Sequence, residues 1–263
     1  MTVRHGAIDV TWLGYACARV SAAEGPTVYV DPGRYGTLDG TWADQYGGAS
    51  HPHGPPYDAQ DGDLVLVTHD HHYDSDGVRR VASDDATVVV YEAIDAERIR
   101  GDPGGDAGRD VESPEDLPHD VRRVAYGDDL SVAGVDVDVL PAYNRADGPR
   151  VAADGSPVHP REFGCGYRFT VARTPVFWTG DSDAIDEHTG LDVSLFLPTI
   201  EGSFTMDRHE AADLAADLDP DLVVPIHYNT FEDLRADSRA FAADVASRSI
   251  PVALDEGWPE RAP

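Results

Sequence analysis

The run Thr68-His69-Asp70-His71-His72-Tyr73-Asp74 packs three imidazoles and two carboxylates into seven residues, directly after the apolar stretch Leu64-Val65-Leu66-Val67. Four apolar residues bounded by polar ones read as a buried strand. The polar knot therefore stands where a strand leaves a sheet. Such a run has little use as packing, because every ring nitrogen and carboxylate oxygen taken from water needs a partner. A divalent metal supplies several partners at once. His69 and His71 are two apart, and a tight loop can turn both rings toward one ion. Zinc, manganese and iron all accept imidazole–carboxylate sets of this kind. The alternative is a plain surface loop in an Asp-rich chain, and the other strand ends weigh against it.

Three further segments share the pattern. Val135-Asp136-Val137-Asp138-Val139-Leu140 runs into Pro141-Ala142-Tyr143-Asn144, with His159-Pro160 following. Val176-Phe177-Trp178 ends in Thr179-Gly180-Asp181-Ser182-Asp183, and Leu222-Val223-Val224-Pro225-Ile226 ends in His227-Tyr228-Asn229. Each sets His, Asp or Asn where a strand stops. Four strand ends on one rim can build one site.

The elements that would position these residues follow from periodicity. Ile8, Val10 and Trp12 share one face of a strand that ends at Gly14. Residues 27–30 form a second strand, closing on Asp31-Pro32. Residues 33–60 are rich in Gly, Pro and His and read as a long functional loop. Helices are expected over 75–82, 93–99, 207–218 and 234–246. The third is the clearest: Asp207 is a plausible N-cap, Glu210 sits three later, and Ala211, Leu214, Ala215 and Leu218 form an apolar stripe. Strands are expected at 87–90, 121–124, 130–132, 135–140, 164–172, 175–178, 193–197, 222–226 and 252–254. The chain reads as two similar halves, each running from strands into strand–helix alternation. Sheets covered on both faces lead to an α/β fold with helix, sheet, sheet and helix in layers.

Composition bounds the function. At 263 residues the chain supports one domain over residues 1–263 with an ample core. Its formal net charge is -29, with no lysine, and the acid is diffuse rather than held in a tail. Diffuse acid of this kind suits the salt-rich cytoplasm of a halophile, where screening is strong. It disfavours nucleic acid and anionic membranes as partners. No stretch approaches the ~20 apolar residues that span a bilayer, and the first residues lack the apolar core of a signal peptide. Cys17 and Cys165 read as free buried thiols in a reducing compartment. A homo-oligomer is left open.

Together these motifs resemble the metallo-β-lactamase superfamily of metal-dependent hydrolases. Within it they look most like the branch around the ascorbate-6-phosphate lactonases. The likeness runs from Trp12-Leu13-Gly14 and Val30-Asp31-Pro32 to Pro225-Ile226-His227-Tyr228. Its most specific pieces are Ala142-Tyr143-Asn144 with His159-Pro160, Thr179-Gly180-Asp181-Ser182-Asp183, and Phe204-Thr205-Met206-Asp207. The resemblance implies a four-layer αββα sandwich. It also implies one or two divalent ions, zinc first and manganese or iron as alternatives, and a metal-activated water attacking a small ester, lactone or phosphodiester.

The family's first motif is H-x-H-x-D-H. His69 and His71 match its two leading histidines, while Tyr73 and Asp74 stand where its Asp and last His belong. Either Asp74 replaces that His, or one residue is inserted and Asp74 is the usual Asp. Both frames keep Asp74 at the metals, to orient water or take its proton, and both lose the last His. Asp181 matches the carboxylate that bridges two metals, and His227 the last metal histidine. At the third motif His159 is preferred over Asn144 as ligand. The expected metal set is thus His69, His71, Asp74, His159, Asp181 and His227. Tyr143, Asn144, Tyr228 and Asn229 are expected to face substrate. His72 is read as an outer donor or a solvent-facing residue, of less weight than Asp181. Asp31 is read as structural, in the role of orienting a metal-bound His rather than binding metal, and His51 and His53 as exposed. Gly14-Tyr15 departs from the family's usual Gly-His. A metal-binding protein with a degenerate, non-hydrolytic site is the alternative, and a nuclease a weaker one.

Overall fold

The fold is taken from a computed structural model, which describes residues 2–33, 58–101, 110–230 and 232–256. Its first sheet holds seven strands in chain order: β1 (Thr2–His5), β2 (Ile8–Gly14), β3 (Cys17–Ala22), β4 (Thr27–Val30), β5 (Gly62–Val67), β6 (Ala82–Tyr91) and β7 (Asp120–Val124). The second holds six, β8 (Asp129–Val132), β9 (Val135–Ala142), β10 (Gly164–Val171), β11 (Thr174–Trp178), β12 (Leu195–Leu197) and β13 (Leu222–Val223), again in order. Among the described residues the helices are α1 (Ser75–Val81), α2 (Ala96–Gly101), α3 (Arg208–Leu218) and α4 (Ser238–Ser247).

Both halves follow one plan. β1 to β4 pair antiparallel, and β4 to β7 parallel. β8 to β11 pair antiparallel, and β11 to β13 parallel. Hairpins suffice for the antiparallel pairs, whereas parallel neighbours need a crossover. The helices lie in the crossovers: α1 before β6, α2 before β7, α3 before β13. The αββα sandwich expected from the sequence is the observed class. β3 of one sheet touches β10 of the other, so the core lies between the sheets.

Strand patterns match this placement. β4 (TVYV) is buried throughout, as a strand covered on both faces should be. In β9 the valines at 135, 137 and 139 are buried while Asp136 is exposed, giving one wet face. β1 and β3 were not expected. β1 is a half-exposed edge strand without apolar alternation, and β3 (CARVSA) breaks strict alternation. The strand expected over 222–226 pairs only at Leu222–Val223, because Pro225 offers no N–H. Val224 and Ile226 still donate to the carbonyls of Phe196 and Pro198, at 2.9 and 3.0 Å, and so carry the chain straight to His227. The 252–254 strand reduces to a single bridge at Val252.

Candidate metal centre

Five chain segments leave the sheets at one rim. They follow β4 (Asp31), β5 (His69 to His72), β9 (His159, after Asn144), β11 (Asp181) and β13 (His227). Their side chains form two clusters that share one carboxylate: His69, His71, His159 and Asp181, and His72, Asp181 and His227. Asp181 divides its oxygens between them. Its Oδ2 lies 3.5 Å from His69 Nε2 and 3.4 Å from His159 Nε2, and its Oδ1 lies 3.6 Å from both His72 Nε2 and His227 Nε2. Within the clusters His159 Nε2 is 3.3 Å from His71 Nδ1, and His72 Nε2 is 3.2 Å from His227 Nε2.

Outer hydrogen bonds set the imidazole tautomers. Thr68 donates its hydroxyl to Asp31 Oδ2 at 2.9 Å, so it accepts from His69 Nδ1, also at 2.9 Å. His69 Nε2 is then the lone-pair nitrogen. His159 Nδ1 faces the Phe204 carbonyl at 3.3 Å, which leaves its Nε2 for the cluster. His72 Nδ1 meets Asp31 Oδ2 at 3.0 Å. Asp31 is held in turn by Thr68 N at 2.8 Å and the Trp178 indole N–H at 2.7 Å. Asp31 thus orients His72, the outer role anticipated for it.

Burial sets the charges. It drives His159 and His227 down to about 4, and it lowers His69 as well, with the neighbouring His72 adding to the effect. The rings are therefore neutral at pH 7, the form in which imidazole binds metal. Burial alone would raise Asp181, but His227, His72 and His69 outweigh it and hold the carboxyl well below its usual range. An ionised carboxylate stands among neutral lone-pair nitrogens, and His69 Nε2 and Asp181 Oδ1 have no hydrogen-bond partner though both are buried. A divalent cation fits that donor set of buried imidazole nitrogens and carboxylate oxygens.

Backbone strain collects here. Tyr15, Asp31 and His227 have φ of 48°, 45° and 62°, a region costly for residues with a Cβ. Tyr15, which stands where a His was expected, sets its ring edge-on to His72 at 4.9 Å and receives the His227 N–H on its carbonyl at 3.0 Å. Two glycines are forced. A Cβ on Gly164 would lie 2.7 Å from His69 Cβ, and one on Gly180, at φ +61°, would lie 2.3 Å from the Cys165 carbonyl oxygen.

The structure brings together five of the six residues expected to hold metal and leaves Asp74 out. The chain after His69 winds into a 3₁₀ turn, Asp70–His72, in which residues three apart eclipse. His72 therefore returns over His69, with ring centroids 4.2 Å apart, and is buried in the second cluster. The expectation of a solvent-facing or lesser His72 is corrected. Asp74 lies past the turn, and its Oδ1 accepts from Asp76 N and Gly77 N as the N-cap of α1. The i, i+3 spacing of His69 and His72 was the signal in the sequence.

The four expected substrate contacts separate. Asn144 is buried and bonded to His159 N, Asp183 and the Phe204 carbonyl. Tyr228 is a core ring, 4.7 Å from Trp12, with its hydroxyl on Glu256. Asn229 closes a turn with both main-chain groups of Ala236. None of these three side chains faces the clusters. Tyr143 stays half-buried, its hydroxyl on Glu187 and the Arg161 guanidinium 4.7 Å from its ring. Sequence reasoning passed over Phe163, whose ring lies 5.3 Å from His71 and 5.6 Å from His69, and His71 is the one partly exposed cluster residue. His51 and His53 lie outside the described residues.

Known proteins are similar to this chain in sequence and in fold. Residues 9–227 match the beta-lactamase superfamily domain. The UPF0173 metal-dependent hydrolase MK1542 of Methanopyrus kandleri is 29% identical over 256 residues, covering 92% of this chain and 94% of its own. The UPF0173 metal-dependent hydrolase PYRAB05000 of Pyrococcus abyssi is 31% identical over 214 residues, covering 77% and 82%. Among solved structures, Igni18, a metallo hydrolase from Ignicoccus hospitalis, superposes with a TM-score of 0.63 at 19% identity, over 94% of both chains. The chain belongs to the beta-lactamase superfamily, in the UPF0173 metal-dependent hydrolase family.

Proposed function

We propose that this protein hydrolyses a small ester, lactone or phosphodiester with the help of two divalent ions, in the manner of the lactonase-like branch it resembles. The observation that carries the reading is the split of Asp181, one oxygen to each buried imidazole cluster. His69, His71, His159 and Asp181 would hold the first ion, and His72, His227 and Asp181 the second. Ions bound there would supply Lewis acidity, lowering the pKa of water to ~7 and polarising the scissile carbonyl or phosphoryl oxygen.

The chain's own groups do the rest. Asp181 Oδ1, without a hydrogen-bond partner, can take a hydrogen bond from the attacking water. Asp74, whose Oδ1 caps α1, belongs to neither cluster, and this reading gives the proton-handling role expected of it to Asp181. Phe163 offers an apolar wall beside His71, on the side where the cluster meets solvent.

Zinc suits the nitrogen-rich first cluster. The second has one imidazole fewer, binds more weakly, and tolerates a harder ion such as manganese. The diffuse charge of -29 supports a small-molecule substrate over nucleic acid. With the free buried thiols Cys17 and Cys165, it also supports a reducing, salt-rich cytoplasm. No described helix is long and apolar enough to cross a membrane.

The test is metal content of the purified protein together with a panel of generic ester, lactone and phosphodiester substrates. Two ions per chain and turnover on one class are expected. Bound metal without turnover on any class would favour the non-hydrolytic alternative. A protein that takes up no divalent ion would refute the site.

A further inference from the structure

His159 differs from the other cluster residues in having no strand to carry it. It sits in the long connection between β9 and β10, and one residue holds it there. Asn144 N donates to the His159 carbonyl at 2.8 Å, and His159 N donates to Asn144 Oδ1 at 2.8 Å. Both main-chain groups of His159 are thus fixed by Asn144. The Asn144 amide nitrogen donates to Asp183 Oδ1 at 3.1 Å and to the Phe204 carbonyl at 2.9 Å. That carbonyl is also the acceptor facing His159 Nδ1. Asn144 therefore locks the backbone of His159 and the group that orients its ring.

The supports of Asn144 are themselves fixed. Asp183, fully buried, accepts from Arg145 N at 2.9 Å and lies 3.3 Å from the buried Arg150 guanidinium. Arg150 also pairs with Glu210 in the first turn of α3. The Phe204 carbonyl is aimed by the turn over 201–205, where the Glu201 carboxylate accepts the N–H groups of Ser203, Phe204 and Thr205. The position calls for an acceptor on one side and two donors on the other, which among side chains of this size only an amide supplies.

We infer that Asn144 is the positioning residue of the first cluster, holding His159 Nε2 toward Asp181 and His71 without itself touching metal or substrate. The inference rests on the reading of that cluster as a metal site. The test is titration with Co(II), followed by its visible absorption, in the His72→Ala background, where only the first cluster remains. Asn144→Asp keeps size and acceptor but sets a carboxylate oxygen against Asp183 and the Phe204 carbonyl. It and Asn144→Ala are each expected to weaken binding ~10–100-fold, the range for outer partners of metal ligands. In a His69→Ala/His71→Ala background, where the first cluster keeps only His159 and Asp181 and the second remains whole, the same substitutions should leave affinity within about twofold. Added to His159→Ala, they should cost nothing more, because the ring they position is gone.

Unchanged Co(II) affinity in both variants overturns the inference. So does an equal loss at both clusters, or a further loss without His159, because a general loosening of the fold would produce either. Should Asn144→Ala fail to fold, Asn144→Asp decides in its place. If the His72→Ala protein itself binds no Co(II), the metal reading of the cluster fails, and the inference with it.

Discussion

At the residue scale the site turns on one carboxylate and one unexpected imidazole. Asp181→Ala removes the group common to both clusters, so metal content should fall below one ion per chain and hydrolysis should vanish. His72→Ala should cost the second ion and most of the turnover, since His72 is as central to its cluster as His227. Metal analysis and single-turnover assays on the two variants check both. Full activity in His72→Ala would mean that the first cluster works alone. Gly164→Ala tests the packing behind the site: a methyl 2.7 Å from His69 Cβ must push that ring aside, so metal affinity should fall tenfold or more. Affinity like the parent's would show that the strand yields instead. His69, His71, Asp181 and His227 were legible because each stands at the end of an apolar run. His72 was not, because linear motif matching assigns Asp74 by its place in a string, whereas a 3₁₀ turn assigns by three-residue eclipse. Asn144 and Tyr228 misled for another reason. Both lie beside site residues in sequence, but one faces the loop that carries His159 and the other the core.

At the scale of elements, legibility followed the strength of the local signal. α3 was readable to its first residue, because Asp207 and Glu210 form a reciprocal capping box in which Asp207 accepts from His209 N and Glu210 N while Glu210 accepts from Asp207 N. Asp207→Ala should cost ~1 kcal/mol, as lost N-caps do, measured as a lower midpoint in urea with an unchanged slope. A cost near zero would mean that the packing of Ala211, Leu214 and Leu218 alone fixes the helix. β1 and β3 were unreadable because their faces are set by neighbours: β1 is an edge strand paired on one side and needs no apolar alternation, and β3, paired on both sides, buries residues on both of its faces. The parallel-strand termini were readable because a strand covered on both faces is a continuous apolar run with abrupt ends, and the site residues are those ends.

At the scale of the molecule, pH and salt should act through groups already named. Burial takes His159, His188 and His227 from 6.5 to about 4. Between those values the unfolded chain binds their protons and the folded one does not, so stability falls as pH drops from about 6.5 to about 4. Burial works the other way on Asp31 and Glu201, raised to about 6 and about 7, which hold protons in the folded state and favour it as pH drops. Displacements are comparable and the histidines are three against two, with His69 adding to their side. With chelator present, the Tm should therefore be lower at pH 4.5 than at pH 7, and a higher Tm at pH 4.5 would reverse the sign.

Salt tests the surface rather than the site. The chain carries 49 acidic residues against 20 arginines. Many arginines are already paired, as in Arg80–Asp76 at 2.6 Å, Arg123–Glu115 at 2.6 Å, Arg161–Glu187 at 2.9 Å and Arg235–Glu232 at 2.8 Å. Exposed pairs of this kind contribute about 0–1 kcal/mol each, and salt weakens them. The excess of 29 negative charges repels across the whole surface, and salt weakens that too. The two effects oppose, and the number of uncompensated charges decides between them. Screening shrinks the Debye length from ~10 Å at 0.1 M to ~3 Å at 1 M, which removes repulsion between acids several residues apart before it removes contacts under 3 Å. The Tm should therefore rise from 0.1 to 2 M KCl. KCl is the salt to use, because sulfate strengthens apolar burial in any protein and would raise Tm without regard to charge. A Tm flat or falling across that range would show that the ion pairs outweigh the repulsion, and would remove the support for a salt-rich cytoplasm.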